Sequence, residues 1–497
     1  MSSSSSLYQQ YTDHMRRVAD LRYAAAVLQW DQETYMPAKG AAARARQLAT
    51  LSETAHEWGT AVSFEQLVGE LQQRDDLDAR QRKNVALTYE EIVRRQKLSS
   101  AFVRRLSEAV SRAFNSWMAA RKANDFHLFE TSLAELVALK AEEADLMGYE
   151  GHPYNALIYE YEKSVTVNTL DQLFGALTPA LQQLMSEITG KQQVDTNFLH
   201  QLYPKDQQWA WGMYLVKELG FDLEAGRQDL SEHPFTTNFS ARDVRITTRI
   251  DEHDLANMTW SCIHEAGHAL YEQGLPDEEY GLPSGEYASL SIHESQSRLW
   301  ENCVGRSRPF WQTYYPELQH YFPDQLKGTS VDTFFKGINK VQPSFIRTEA
   351  DELTYHSHVY IRYEIEKELI SKQLQVKDVP ARWNELYQTH LGVTVPDDRT
   401  GCLQDVHWSH GSFGYFPTYS LGSLYAAQFW QKAQEVVPNL STTQNATTLA
   451  ALLQWLRTEI HAKGRSMESE ELCKAVTGET LDSRHFVNYI RNKFGLH

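Results

Sequence analysis

The chain has 497 residues, 42% of them hydrophobic and 23% charged, a globular composition that excludes disordered, collagen-like and fibrous classes. Lysine plus arginine number 48 against 65 aspartate plus glutamate, a net charge of −17. Such a chain has no bulk electrostatic attraction to nucleic acid or to an anionic membrane.

The length allows two to four units of average size or one large enzyme domain with lobes, and 1–497 is read as a single catalytic unit. Cys262, Cys303, Cys402 and Cys473 are too widely spaced for a disulfide framework or a thiolate zinc knuckle. The opening MSSSSSLYQQYTDHMRR lacks the basic and then apolar order of a secretory signal. No window reaches the ~18 apolar residues of a spanning helix. The expectation is a cytoplasmic protein with no membrane and no nucleic-acid partner.

Residues 1–205 read as a helical lobe. Stretches such as 41–58 and 102–123 set apolar residues at helical spacing between charged faces, and Gly and Pro return only at joints such as MPAKG and GHPYN. Residues 206–497 form the second portion, which opens with a change of period. Over 228–250, Phe235, Thr237 and Phe239 alternate, then Val244, Ile246, Thr248 and Ile250, predicting one small antiparallel sheet. Arg245, Thr247 and Arg249 then share the face away from the core. Helix resumes, interrupted by Gly- and Pro-rich loops at 274–285 and 391–422. The fold class is mainly α.

The chemistry is concentrated in MTWSCIHEAGHALYEQG, residues 258–274. His264 and His268 stand one turn apart on a helix, so both imidazoles reach one ion at the ~2.0–2.1 Å that zinc requires. Glu265 is turned about 100° around the helix, beside the ion and free to act as a base. Chance supplies roughly 0.05 such HExxH matches in a chain of this length, so the motif needs a third ligand to carry weight. The metzincin continuation fails, because Tyr271 and Gly274 stand where Gly and His are required. A glutamate on a later helix is the other solution. Glu294 in SIHESQSRLWEN is the best candidate, and Arg298 and Glu301 share its face; Glu286, in the preceding loop, is the rival.

The pairing of HEAGH with HESQ resembles the carboxypeptidase Taq family of metallocarboxypeptidases. DVRIT (243–247), IRTEAD (346–351), GCLQDVHW (401–408) and WDQETYMP (30–37) match it too, so the resemblance spans nearly the whole chain. It implies a two-lobed helical fold with a deep groove, of the neurolysin and angiotensin-converting-enzyme type. It also implies Zn2+, with Co2+ able to substitute, a homodimer, and broad release of single residues from peptide substrates with a free C-terminus.

On this reading His264, His268 and Glu294 hold the metal and Glu265 is the general base. His407 and Tyr419 are the candidates for stabilising the oxyanion, with His410 and Tyr415 as substitutes, and GSFGYFPTYSLG is a loop able to close on substrate. A planar guanidinium suits the substrate carboxylate, and Arg347 is the first choice with Arg245 second. Asp351 is a candidate for orienting a metal-bound histidine. His356 and His358 read as surface or core residues. Competing readings are an endo-oligopeptidase or dipeptide-releasing carboxypeptidase of the same fold, and a non-catalytic helical metal-binding scaffold.

Overall fold

The computed structural model describes residues 4–190 and 194–496. The protein is mainly helical, with one small sheet among the described residues. Long helices dominate the first part, beginning with Ser4–Thr34 and continuing through Ser100–Ala123, His127–Met147 and Val167–Thr189. Where caps form they are local: the Ser99 side chain accepts from the amide of Phe102, and Asn124 closes that helix in the left-handed region at φ 59°.

Among the described residues, apolar side chains gather into two cores. A small one joins Leu7, Tyr11, Phe64, Val68, Leu71, Val85 and Ile92 with Leu282. The large one runs from Phe102 to Leu496, so helices after residue 100 share a core with the C-terminal portion. No helix among the described residues is long and apolar enough to cross a membrane. The four cysteines are buried and free.

The sheet corrects the sequence expectation. The expected hairpin forms, from β2 (Thr236–Ser240) and β3 (Asp243–Thr248), with Thr236 opposite Ile246. A further strand, β1 (Gly226–Leu230), pairs with β3 in parallel, giving the order β1-β3-β2 and a mixed rather than antiparallel sheet. The segment GRQDL has no apolar alternation to announce it, and its Gln228 and Asp229 are buried polar residues.

The face that carries Arg245 and Thr247 is covered as well. Thr247 is buried, bonded through its hydroxyl to Ser231 and to the amide of Phe235. Arg245 lies 4.3 Å above the Trp30 ring, and Tyr35 donates to Asp229 at 2.5 Å. The end of the first helix thus roofs the sheet, and the other side packs on the helix Leu255–Glu272.

Candidate metal centre and active site

The helix Leu255–Glu272 carries HEAGH and starts on Asp254, whose carboxylate accepts from the amides of Ala256 and Asn257. After the loop comes the helix Leu290–Arg298, capped by Ser289 and continued as a π-helical segment, Leu299–Val304. The two helices touch at Gly267, where an added Cβ would lie 2.6 Å from Ser297 Cα. A third helix, Pro417–Val436, packs on the other side, with Gly422 against Glu294.

This packing gathers the predicted ligands. Glu294 Oε2 lies 3.8 Å from His264 Nε2 and 3.4 Å from His268 Nε2. Tetrahedral ligands at ~2.0–2.1 Å from zinc stand about 3.3 Å apart, so the donor set fits a divalent cation of that size. Among the described residues it is the one cluster of three such side chains with ligand atoms within 4.8 Å of one another. Glu286 stands outside it and pairs instead with Arg465 at 3.1 Å.

The surrounding charges set the protonation states. Burial alone would lift the Glu294 carboxyl, but the Arg298 guanidinium and His264 hold it well below the carboxylate range. Arg298 Nε donates to Glu294 Oε1 at 2.6 Å, and its Nη1 reaches Glu301 at 3.2 Å. Glu301 Oε2 lies 2.8 Å from His264 Nδ1, the carboxylate–histidine contact that aims the other ring nitrogen at a metal. Despite its burial Glu301 is pulled down to about 2 by Arg298 and His264. Burial, with His293 adding to it, pushes His268 down to about 3, and its Nδ1 is 3.1 Å from the His293 carbonyl oxygen.

Asp351 is bonded to nearby main chain and to Thr354. Its oxygens accept from the amides of Gln342, Leu353 and Thr354 and from the Thr354 hydroxyl, which shapes the entry to the helix Tyr355–Ile370. The ring partners of His264 and His268 are Glu301 and the His293 carbonyl.

Glu265 is buried next to the triad. Burial raises its carboxyl above the ordinary range, against the pull of His264 and of a 2.5 Å bond from the Thr236 hydroxyl. A carboxylate with a raised proton affinity beside an ion site suits proton transfer. Thr236 was not singled out from the sequence, although its place in the alternating strand was.

His407 Nε2 and Tyr419 Oη lie 3.2 Å apart. Burial pushes His407 down to about 3, so its ring is neutral at pH 7, and its Nδ1 is 4.0 Å from Asp405. Tyr419 sits on a helix rather than in a closing loop, because Pro417 opens Pro417–Val436 in its first turn. His410 is exposed and stacks on Phe114, 5.2 Å away, whereas Tyr415 packs against Tyr419 at 5.3 Å.

Arg347 is buried and shares Asp405 with Arg362; its Nη1 donates to Tyr355 at 2.8 Å and its guanidinium lies 4.8 Å from the Tyr419 ring. Arg245 is tied to Asp243 by two 2.9 Å bonds and to Trp30 by its stack. His356 and His358 are core residues bonded to Ser420 and Tyr387.

Comparison with known proteins places this geometry. The family model for "Carboxypeptidase Taq (M32) metallopeptidase" matches residues 10–494. The chain is 38% identical to carboxypeptidase 1 of Bacillus subtilis, over 98% of this chain and 97% of that one. It is also 38% identical to thermostable carboxypeptidase 1 of Thermus thermophilus, over 98% of each. Among solved structures, the M32 carboxypeptidase of Deinococcus radiodurans superposes with a TM-score of 0.96 at 36% identity, covering 99% of both chains. The chain therefore belongs to the carboxypeptidase Taq (M32) family of metallopeptidases.

Proposed function

We propose that this metallocarboxypeptidase releases single residues from the C-terminus of peptides, with Glu265 as general base and His264, His268 and Glu294 as metal ligands. The observation that carries the reading is the Glu265 carboxylate, raised by burial and held by Thr236, beside three ligand atoms within 4.8 Å of one another. Two imidazoles and a carboxylate are a donor set that zinc favours, and Co2+ accepts the same ligands.

The metal, when bound, supplies a Lewis acid that polarises the scissile carbonyl and acidifies water. Glu265 takes the proton from the attacking water and passes it to the leaving amine as the C–N bond breaks. Tyr419, with His407 behind it, donates to the oxygen on which negative charge develops. Arg347 stands on the Tyr419 side of the site and is the better placed of the two arginines to meet the substrate carboxylate. Arg245 serves instead to fasten the first helix to the sheet.

The two-lobed, grooved outline of the neurolysin type belongs to the same proposal. Its support is the small core that the first helices build apart from the large one, closed by Leu282 of the second portion, as a cover of 1–205 resting on 206–497 would need. A homodimer follows from the family resemblance and is read by light scattering.

The test is a peptide with a free C-terminus set beside its C-amidated twin. The proposed enzyme shortens only the first, one residue at a time. Cleavage of both would establish an endopeptidase, and loss of dipeptides a dipeptidyl carboxypeptidase.

A further inference from the structure

The two imidazoles of the metal site are held by different means. His264 leans on a carboxylate, Glu301, at 2.8 Å. His268 has a main-chain acceptor, the His293 carbonyl at 3.1 Å, and a stacked ring. The rings of His268 and His293 lie 4.5 Å apart with their planes inclined by 24°. A carbonyl acceptor selects the tautomer of a histidine, while a stacked ring limits rotation about its last torsion.

His293 is itself anchored. Its Nε2 meets Glu272 Oε1 at 2.8 Å, and Asn238 Nδ2 donates to Glu272 Oε2 at 2.7 Å. Tyr287 closes on the ring edge-on at 4.8 Å. The chain Asn238–Glu272–His293 thus joins strand β2, the HEAGH helix and the following helix, and ends on a metal-site imidazole.

Spacing along the HEAGH helix adds a second consequence. Glu272 follows His268 by four residues, as His268 follows His264, so all three lie on one helix face. A carboxylate one turn beyond two histidines is a potential competing ligand. The bond to His293 engages one Glu272 oxygen and the bond to Asn238 the other.

We propose that His293 is a positioning residue for His268, and that Asn238, Glu272 and His293 form a brace that governs retention of the metal. The inference rests on the assignment of His264, His268 and Glu294 as ligands. His293 immediately precedes Glu294, so one step along the helix carries both a brace residue and a ligand.

The test measures metal affinity. Metal-stripped wild type, His293→Ala, Glu272→Gln and Asn238→Ala are titrated with Zn2+ against a chromophoric chelator, and their Co2+ forms are compared by visible absorption. His293→Ala should raise the Zn2+ Kd about 10- to 100-fold, in the range found when supporting partners of metal ligands are removed, and should alter the Co2+ bands. Glu272→Gln and Asn238→Ala should raise Kd by smaller factors. A purely structural role would lower the melting temperature of the metal-free protein and leave Kd and the Co2+ spectrum alone. Kd values within twofold of wild type in both His293→Ala and Glu272→Gln would overturn the brace. If His293→Ala does not fold, unchanged affinity in both Glu272→Gln and Asn238→Ala does the same. His268→Ala is the control: wild-type affinity there would refute the ligand assignment itself, a different failure.

Discussion

Gly422 faces Glu294 with no room for a side chain. A Cβ built at Gly422 would lie 2.6 Å from both Cβ and Cγ of Glu294, atoms too close to the backbone to swing aside. The glycine lets the helix Pro417–Val436 approach the helix of the proposed third ligand. Gly422→Ala must either part the helices or turn the Glu294 carboxylate away from the imidazoles. The expected result is a stability loss of about 1–3 kcal/mol, as for other overpacked cores, together with weaker metal binding. Chemical denaturation of the metal-free protein and a chelator titration check the two parts. Gly267→Ala should behave alike, since its Cβ would meet Ser297 Cα at 2.6 Å.

Thr236 donates to the carboxylate proposed as the base, and its hydroxyl also reaches the Glu265 carbonyl at 3.1 Å. Thr236→Val keeps the shape and removes the donor. The carboxylate should lose its fixed orientation, lowering kcat by about 10-fold with little change in KM, less than the ~10²–10⁴-fold that a general base contributes as a whole. Glu265→Gln should retain metal and fold while abolishing turnover. Full activity in Glu265→Gln would remove the base assignment.

Removing the metal should cost stability as well as activity. Glu294 is nearly inaccessible and bonded to Arg298, so the metal-free site already has one stabilising ion pair. A bound ion adds RT ln(1 + [L]/Kd), about 4 kcal/mol when the ion is 1,000 times above Kd. Calorimetry with and without chelator should show a matching fall in Tm, reversed by adding Zn2+ back. His264→Ala should show a much smaller difference between the two conditions.

Much of the site was legible because its spacing is helical. HEAGH and the distant Glu294 needed only the four-residue period and a returning helix, and Arg298 and Glu301 were visible as a charged row on the Glu294 face. What escaped notice depends on tertiary contact. Thr236 reaches Glu265 from a strand 29 residues upstream, and nothing in TTNF announces a hydrogen bond to a base. An acid near a motif looks the same in sequence whether it caps a turn or orients a ring, and Asp351 bonds the turn that leads into Tyr355–Ile370. Strand β1 was missed because its buried positions are Gln228 and Asp229, which break the apolar alternation by which strands are recognised. The Gly and aromatic residues around Tyr419 read as a loop and mask Pro417, the first-turn signal of the helix Pro417–Val436.

Glu366 links stability to pH through the segment that follows His407. It is fully buried in the helix Tyr355–Ile370 and accepts from Trp408 Nε1 at 2.8 Å, the Gly414 amide at 2.9 Å and the Tyr154 hydroxyl at 2.5 Å. Burial pushes its carboxyl up to about 7 from an ordinary 4.5, against these donors and the Lys140 ammonium. Below pH 4.5 folded and unfolded chains both carry the proton. Between pH 4.5 and about 7 the unfolded chain has lost it while the folded chain keeps it, so this group's contribution to stability falls as pH rises; above 7 the dependence flattens. The displacement corresponds to a loss on the order of 3 kcal/mol across that window. Glu366→Gln cannot titrate and must turn an amide donor toward one of the three donors, so it should be less stable than wild type at pH 5 by about 1–3 kcal/mol. That gap should narrow by pH 8, where wild type carries a buried charge. Denaturant curves for both proteins at the two pH values decide it, and an unchanged gap would show that Glu366 stays ionised throughout.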